Sequence, residues 1–539
     1  MRNVRYHRLV SIPMIMLATT ASAQSKGENI VDLATQVAAR LAAIQSPSRG
    51  PGSDLTLEDA IARALERNLD IAVERLNPQV IDLSLAQQLS TYRPLFNTSL
   101  SNNSRTNPSS TQLDGGDAVI SETALVNTRL SQAVAWGGGR YEVNFNNNRS
   151  SSTNIFSSFN PSYRSTFQTS YTQPLLRGFK IDSTRQQIQV TRINRDIADI
   201  DLRQTMTNTI SSVRNAYWDL VYATQTLAVQ RQALELAESL VRDNEARVEI
   251  GTMAPIDVVQ AQSEAAARRQ SLAQAEQNLA TAELALKQFI VGGTDDEYWS
   301  ATLNPVDLPT LDLEPIDLQA AIRTALDQRT DVARSRRQLD INDVNLSAMR
   351  NNTLPSVDLI GSYQLQGQGG TQYRRTGLGG KVTEQIPGGI GDAFDQLFDV
   401  DFPVWSVQLN VSYPIGQSAD DAAYARARIQ VQQIQAQLRQ LELQVATEVT
   451  NAVLQIQGIE RRIEAATAAR ELAEQQLAAE QSKFGVGMST NFFVVQAQRD
   501  LATAQDTELR AILDQQKALV EFDRVQRTSL SQAGISIVQ

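Results

Sequence analysis

The sequence lacks cysteine altogether, and its 539 residues include a single histidine, His7. Disulfides, thiolate nucleophiles and a lipidated N-terminal cysteine are thereby excluded. Neither a Cys/His zinc site nor a histidine-dependent triad can be assembled from what remains. A carboxylate pair would still serve hydrolysis, but the acids scatter along helix surfaces, and no glycine-rich phosphate loop is present. An excess of base is missing too, with 49 Lys and Arg against 59 Asp and Glu. Phosphate contacts need a basic surface, so nucleic acid is not an expected partner. Beyond the first 23 residues no segment holds 18 consecutive apolar residues. Any membrane span in this chain must therefore be built from β-strands.

Residues 1–23 read as a cleavable secretory signal peptide. Arg2, Arg5 and Arg8 form its basic start, "LVSIPMIMLATT" its apolar middle, and Ala21-Ser22-Ala23 the small-residue cleavage site. The apolar run is too short for an anchor. Cleavage would remove three of the 49 basic residues and no acid, leaving 46 against 59 and a net charge of −13. No metal and no cofactor is expected, and the chain does not read as an enzyme.

Much of the chain occurs twice. "LTLEDAIARALERNLDIAV" from Leu55 aligns with "IDLQAAIRTALDQRTDVAR" from Ile316 at an offset of 261, which carries on to Pro94 and Pro355. A second pair, Pro174 in "YTQPLLRG" and Pro414 in "SYPIGQ", is offset by 240. "GTMAPIDVVQAQ" from Gly251 and "GMSTNFFVVQAQ" from Gly487 are offset by 236. Landmarks in one order with shrinking offsets predict an internal two-fold repeat with unequal loops. Each half reads as helix, proline, extended region, proline, very long helix, glycine turn, helix. The very long helices, near 178–249 and 416–484, would each extend roughly 100 Å.

Those helices carry seven-residue stripes. One is Val213, Leu220, Leu227, Leu234, Val241 and Val248. The other is Val449, Ile456, Ile463, Arg470, Leu477 and Phe484. Such stripes predict coiling against neighbouring helices. Alone they would fit a plain structural coiled coil of the envelope. The extended regions speak against that. "YRSTFQTSYTQ" from Tyr163, "SVDLIGSYQL" from Ser356 and "WSVQLNVSY" from Trp405 alternate apolar and polar residues, as membrane-barrel strands do. The four prolines each fall where a helix meets a strand and remove a backbone donor there. "TALVNTRLSQAV" and "RYEVNFNNN", joined by "AWGGG", read as a further hairpin over 124–149. The pattern leaves open whether it joins a barrel or decorates an exterior loop. Residues 366–402 read as a long Gly-rich loop.

In the combination of the paired openings, "QPLLRG" at 173–178, "SYPIG" at 412–416 and the two "VVQAQ" turns, the chain closely resembles the TolC-like outer-membrane efflux protein family. The resemblance implies a mixed α and β membrane protein acting as the outer-membrane duct of a tripartite efflux or type I secretion system. It implies a homotrimer in which each protomer gives four strands to one shared barrel; the extra hairpin, should it join, would make six. Four per protomer make 12 strands, continuous with a coiled-coil periplasmic tunnel. A periplasmic adaptor, an inner-membrane pump and outer-membrane lipid are the implied partners. The helical tips, at Gly251, Asp257, Gly487 and Ser489, would dock the adaptor. Phe493 and Gln496 stand where well-known members place an acidic constriction, so a phenylalanine ring would gate by size and dewetting. Packing of Phe493 into the core is the competing reading.

These expectations divide the chain into a signal peptide (1–23) and a dispensable short helix and linker (24–54). A first efflux repeat follows (55–290, strands within 95–173, long helices 178–249 and 257–290), then a linker (291–315). A second repeat (316–530, strands within 356–413, long helices 416–484 and 491–528) and a tail (531–539) complete it.

Overall fold

A computed structural model describes residues 52–109, 116–309, 316–377, 380–416 and 418–527. The signal peptide, most of the 24–54 segment and the tail fall outside these residues. In chain order the elements begin with β1 (Ser53–Leu55), α1 (Leu57–Arg67), α2 (Leu69–Glu74) and α3 (Asn77–Leu89). Four strands follow, β2 (Leu95–Pro108), β3 (Ala118–Ala133), β4 (Arg140–Ser152) and β5 (Phe159–Pro174). Then come α4 (Ser183–Glu249), α5 (Pro255–Ile290), α6 (Glu297–Ser300), β6 (Leu303–Pro305), α7 (Leu318–Gln328) and α8 (Thr330–Asn352). The rest comprises β7 (Ser356–Arg375), β8 (Val382–Ile386), α9 (Ile390–Phe398), β9 (Pro403–Ser412), α10 (Ala419–Gly485) and α11 (Asn491–Gln526). No described helix is long and apolar enough to cross a membrane.

The chain divides into two compact units. The sheet-bearing unit takes residues 76–199 and 334–439. Its sheet is antiparallel throughout, in the order β2-β3-β4-β5-β7, with β9 and β8 sharing the outer edge of β7. The hairpin left open above is thus part of the sheet, as β3 and β4 between β2 and β5. Period-two alternation puts successive side chains on opposite faces. One row on the apolar face crosses six strands: Phe96, Leu130, Val143, Thr169, Tyr363, Trp405. The next row, on the other face, is Asn97, Arg129, Asn144, Gln168, Gln364, Val404.

The supposed loop at 366–402 is structured instead. It holds the end of β7, all of β8, and α9, which lies on the apolar face with Phe394 stacked on Phe145 (6.1 Å, 27°). Gly367 and Gly369 admit it, since a Cβ on either would collide with the α9 backbone at Ala393 or just before it at Gly389. α9 is amphipathic, burying Ala393 and Leu397, and Asp392 caps its start by accepting a hydrogen bond from Gly389 N–H (2.7 Å).

The helical unit takes residues up to 75, 200–333 and from 440 on. Parts of α4, α5, α10 and α11 share one core with α1 and β6. Val213 and Leu220 of the first stripe are fully buried, while Leu234, Val241 and Val248 are half-buried. The second stripe is buried at all six places, including Arg470. That guanidinium is neutralised by Glu508 at 2.5 Å and Glu474 at 2.6 Å, which satisfies the rule that buried charge needs a partner. The stretches read as linkers meet here, because β1 and β6 pair in parallel. Tyr217, fully buried, donates its hydroxyl to the carbonyl of Leu55 (3.0 Å) or to the carboxylate of Asp307 (2.9 Å). Residues 53 and 54 are therefore strand rather than linker, a pairing that no local pattern of three residues can announce.

Candidate functional site at the paired helical turns

α4 stops because Gly251 adopts φ +76°, and α10 because Gly487 adopts φ +80°. The hydrogen bonds match as well. Gly251 N–H donates to Val248 O (3.0 Å) and Thr252 N–H to Arg247 O (2.9 Å). Gly487 N–H donates to Phe484 O (3.2 Å) and Met488 N–H to Lys483 O (2.9 Å). Both are Schellman caps, in which a left-handed residue satisfies the last helical carbonyls. Glycine takes that conformation without a Cβ penalty. α5 then starts with Pro255 in its first turn, where a missing N–H costs nothing. α11 starts after Thr490, which is extended.

Side-chain bonds tie one turn to the other. Asn244 of α4 and Asn491 of α11 are both buried, and the Asn244 amide donates to the Asn491 side-chain oxygen at 3.0 Å. Asn491 in turn donates to the backbone carbonyl of Asp257 at 3.2 Å, linking α5. Arg247 lies over the Phe484 ring at 4.4 Å and donates to the Phe484 carbonyl at 3.2 Å. Leu240, Ala261, Phe484 and Val494 fill the space between.

Two turns further along α5, Glu264 is buried between two guanidinium groups, Arg268 at 2.8 Å and Arg499 of α11 at 2.9 Å. Burial alone would raise its carboxyl, but the hydrogen bonds and charges of Arg499 and Arg268 outweigh it. They hold the group below the ordinary carboxylate range.

Sequence reasoning missed these residues. Asn244 had a signal, since it closes a second seven-residue series of Ala216, Ala223, Gln230 and Ala237. A buried polar residue on such a stripe marks a place where a specific partner is required.

The sequence-predicted residues are divided in place. Gly251, Asp257, Gly487 and Ser489 all belong to the paired turns. Ser489 donates to Glu480 at 2.7 Å, and Lys483 and Ser489 together hold the Glu480 carboxyl below its usual value. Phe493 is 54% exposed and meets Phe492 edge-on at 5.6 Å, so within the protomer it is not a core residue. Gln496 is exposed on the same flank of α11 and bonds Asp500 at 2.8 Å. The four prolines lie elsewhere, in the sheet-bearing unit. Pro94 and Pro355 immediately precede β2 and β7, Pro174 ends β5, and Pro414 follows β9 by two residues. The antiparallel register brings all four to one end of the sheet. Among the described residues no cluster of carboxylate or imidazole side chains is placed to hold a metal ion.

The outer membrane efflux protein family model matches residues 60–292 and 321–525. Solved structures share the fold. A CusC structure is 16% identical, covers 88% of this chain and 92% of its own, and superposes with a TM-score of 0.63. The CmeC outer membrane channel of Campylobacter jejuni is 15% identical over 87% of this chain and 85% of its own, with a TM-score of 0.61. The outer membrane protein VceC of Vibrio cholerae is 15% identical over 87% and 95%, also at 0.61. No curated protein matches the chain.

Proposed function

The chain belongs to the outer membrane efflux protein family, and from that premise we propose that it is the outer-membrane duct of a tripartite efflux or type I secretion assembly. It would pass small molecules or polypeptides passively from the periplasm to the exterior as a homotrimer. The observation that carries this reading is the two-faced sheet, apolar on one side and Asn/Gln/Ser-rich on the other, whose outermost strands lack a second partner among the described residues. Lipid does not tolerate open strand edges, so the sheet needs further copies to become a barrel. The apolar face beyond α9 would meet lipid and the polar face water.

An ancestral duplication accounts for the helices: α4 and α10 both have 67 residues, and α5 and α11 both have 36. In a trimer the duplication supplies six pseudo-equivalent tips, and the matched caps at Gly251 and Gly487 support their use as the docking surface for a periplasmic adaptor. Energy would come from an inner-membrane pump. Phe493 and Gln496 would line the narrowing of the tunnel.

Cells lacking the protein are expected to accumulate a fluorescent efflux dye and to recover when the full chain is restored. A purely structural envelope protein would leave dye accumulation unchanged.

A further inference from the structure

We infer that each protomer contributes six membrane-spanning strands rather than four, so that three copies close an eighteen-stranded barrel through a seam between β2 of one copy and β9 of the next. The inference rests on the trimeric reading above and specifies the barrel that the reading requires.

Length is the first argument. A tilted strand needs about 9–11 residues to cross the hydrocarbon layer. β2, β3, β4, β5, β7 and β9 have 14, 16, 13, 16, 20 and 10 residues. β8, with five, is too short. Pairing is the second. β3 lies along all fourteen residues of β2, and β4 pairs onward to β5 from Arg140 to Ser150. The β3–β4 hairpin is thus threaded into the sheet, and a four-stranded contribution would require breaking both ladders. Chemistry is the third. Leu130 and Val143 sit in the apolar row and Arg129 and Asn144 in the polar one, so the hairpin has the same two faces as its neighbours.

The seam follows from what is left unpaired. Among the described residues β2 pairs only with β3 and β9 only with β7, and both are exposed along their whole length. They run in opposite directions, because six antiparallel strands separate up from down in an even count. A β2 edge therefore meets a β9 edge of another copy in antiparallel sense, and the alternation is unbroken around the ring. Pro94 and Pro414 put the start of β2 and the end of β9 at one level. Matching faces then sets Phe96, Thr98 and Leu100 near Val411, Leu409 and Val407. A slip of one residue would turn the apolar row of one copy onto the polar row of the next. Since barrel diameter grows roughly linearly with strand number, the bore would be about half again as wide as in a 12-stranded barrel.

The chain has no cysteine, so introduced thiols are the only ones. In the full-length detergent-purified protein, Leu100→Cys is combined with Trp405→Cys, Val407→Cys or Leu409→Cys, with Leu100→Cys/Gln408→Cys as the opposite-face control. Ser101→Cys/Ser406→Cys probes the polar face should the apolar variants not assemble. One same-face pair is expected to yield reductant-sensitive covalent trimers, and the control none. Nitroxides at Val126 and Val143 are expected to be accessible to lipid-soluble oxygen, and those at Asn127 and Asn144 to a water-soluble relaxant. A trimer by light scattering with no seam crosslink, or with all four nitroxides in water, overturns the six-strand inference and leaves the duct reading standing. A monomer or dimer overturns both.

Discussion

The side-chain amide of Asn244 donates to the side-chain oxygen of Asn491 across 3.0 Å, joining α4 to the first residue of α11 in a place that water does not reach. Removing one member of a buried hydrogen bond leaves the other unsatisfied, at a cost of about 1–3 kcal/mol. Asn244→Ala is therefore expected to destabilise the helical unit by that amount. The loss should appear as a lower midpoint in thermal circular dichroism of the detergent-solubilised protein. Asn244→Asp, which keeps an acceptor but not the donor, should not restore it.

Glu264 gives the helical unit a dependence on acid. Its folded carboxyl titrates below the ordinary value. The stability it confers is complete above the unfolded value of about 4.3 and is lost as pH falls through the folded one. Glu264→Gln should lower the melting temperature at pH 7, by the equivalent of about 2 kcal/mol. This is less than for a fully buried pair, because Arg499 is half exposed. The difference between variant and parent should shrink as pH is lowered towards 3. A difference that is constant with pH would remove Glu264 as the source.

The two caps should behave alike. A Cβ at Gly251 or Gly487 would meet nothing within 4 Å, so substitution costs backbone conformation alone. Gly251→Ala and Gly487→Ala are each expected to cost about 1 kcal/mol. The asparagine variants should cost less, since asparagine tolerates the left-handed region better.

In the sheet, glycines differ by what faces them. Gly367→Ala would drive a methyl group into the carbonyl of Ala393 and displace α9, whereas Gly361 has open space. Limited proteolysis should cut the 380–402 segment faster in Gly367→Ala and leave Gly361→Ala like the parent. Equal cutting of both would mean that α9 is not held by the glycine gap.

What the sequence made legible tracks how local each cause is. The turns at Gly251 and Gly487 could be read because a left-handed cap demands glycine wherever it occurs. The strands could be read from their alternation, and the β3–β4 hairpin from Gly137 and Gly138, which both take positive φ. The place of that hairpin in the strand order could not, since pairing with β2 and β5 is a choice made between distant segments. α9 carries local signals in Asp392 at its start and in the apolar Ala393 and Leu397, but its docking over Gly367 and Gly369, some twenty residues upstream, was hidden because it joins separate segments. β1 was hidden for the same reason, its partner β6 lying 250 residues away. At the turns, Asp257 and Ser489 were reached through family resemblance. Asn244, Asn491 and Glu264 matter through contacts between helices, which periodicity locates on a face but does not pair.

Phe493 offers the most direct test of the central claim that this chain is a gated export duct. The purified full-length protein, reconstituted in a planar lipid bilayer, should give discrete conductance steps. Phe493→Ala should raise the unitary conductance while leaving the melting temperature nearly unchanged, as expected for an exposed side chain. An assembled, bilayer-inserted protein that gives no conductance steps, with or without Phe493, would contradict the account.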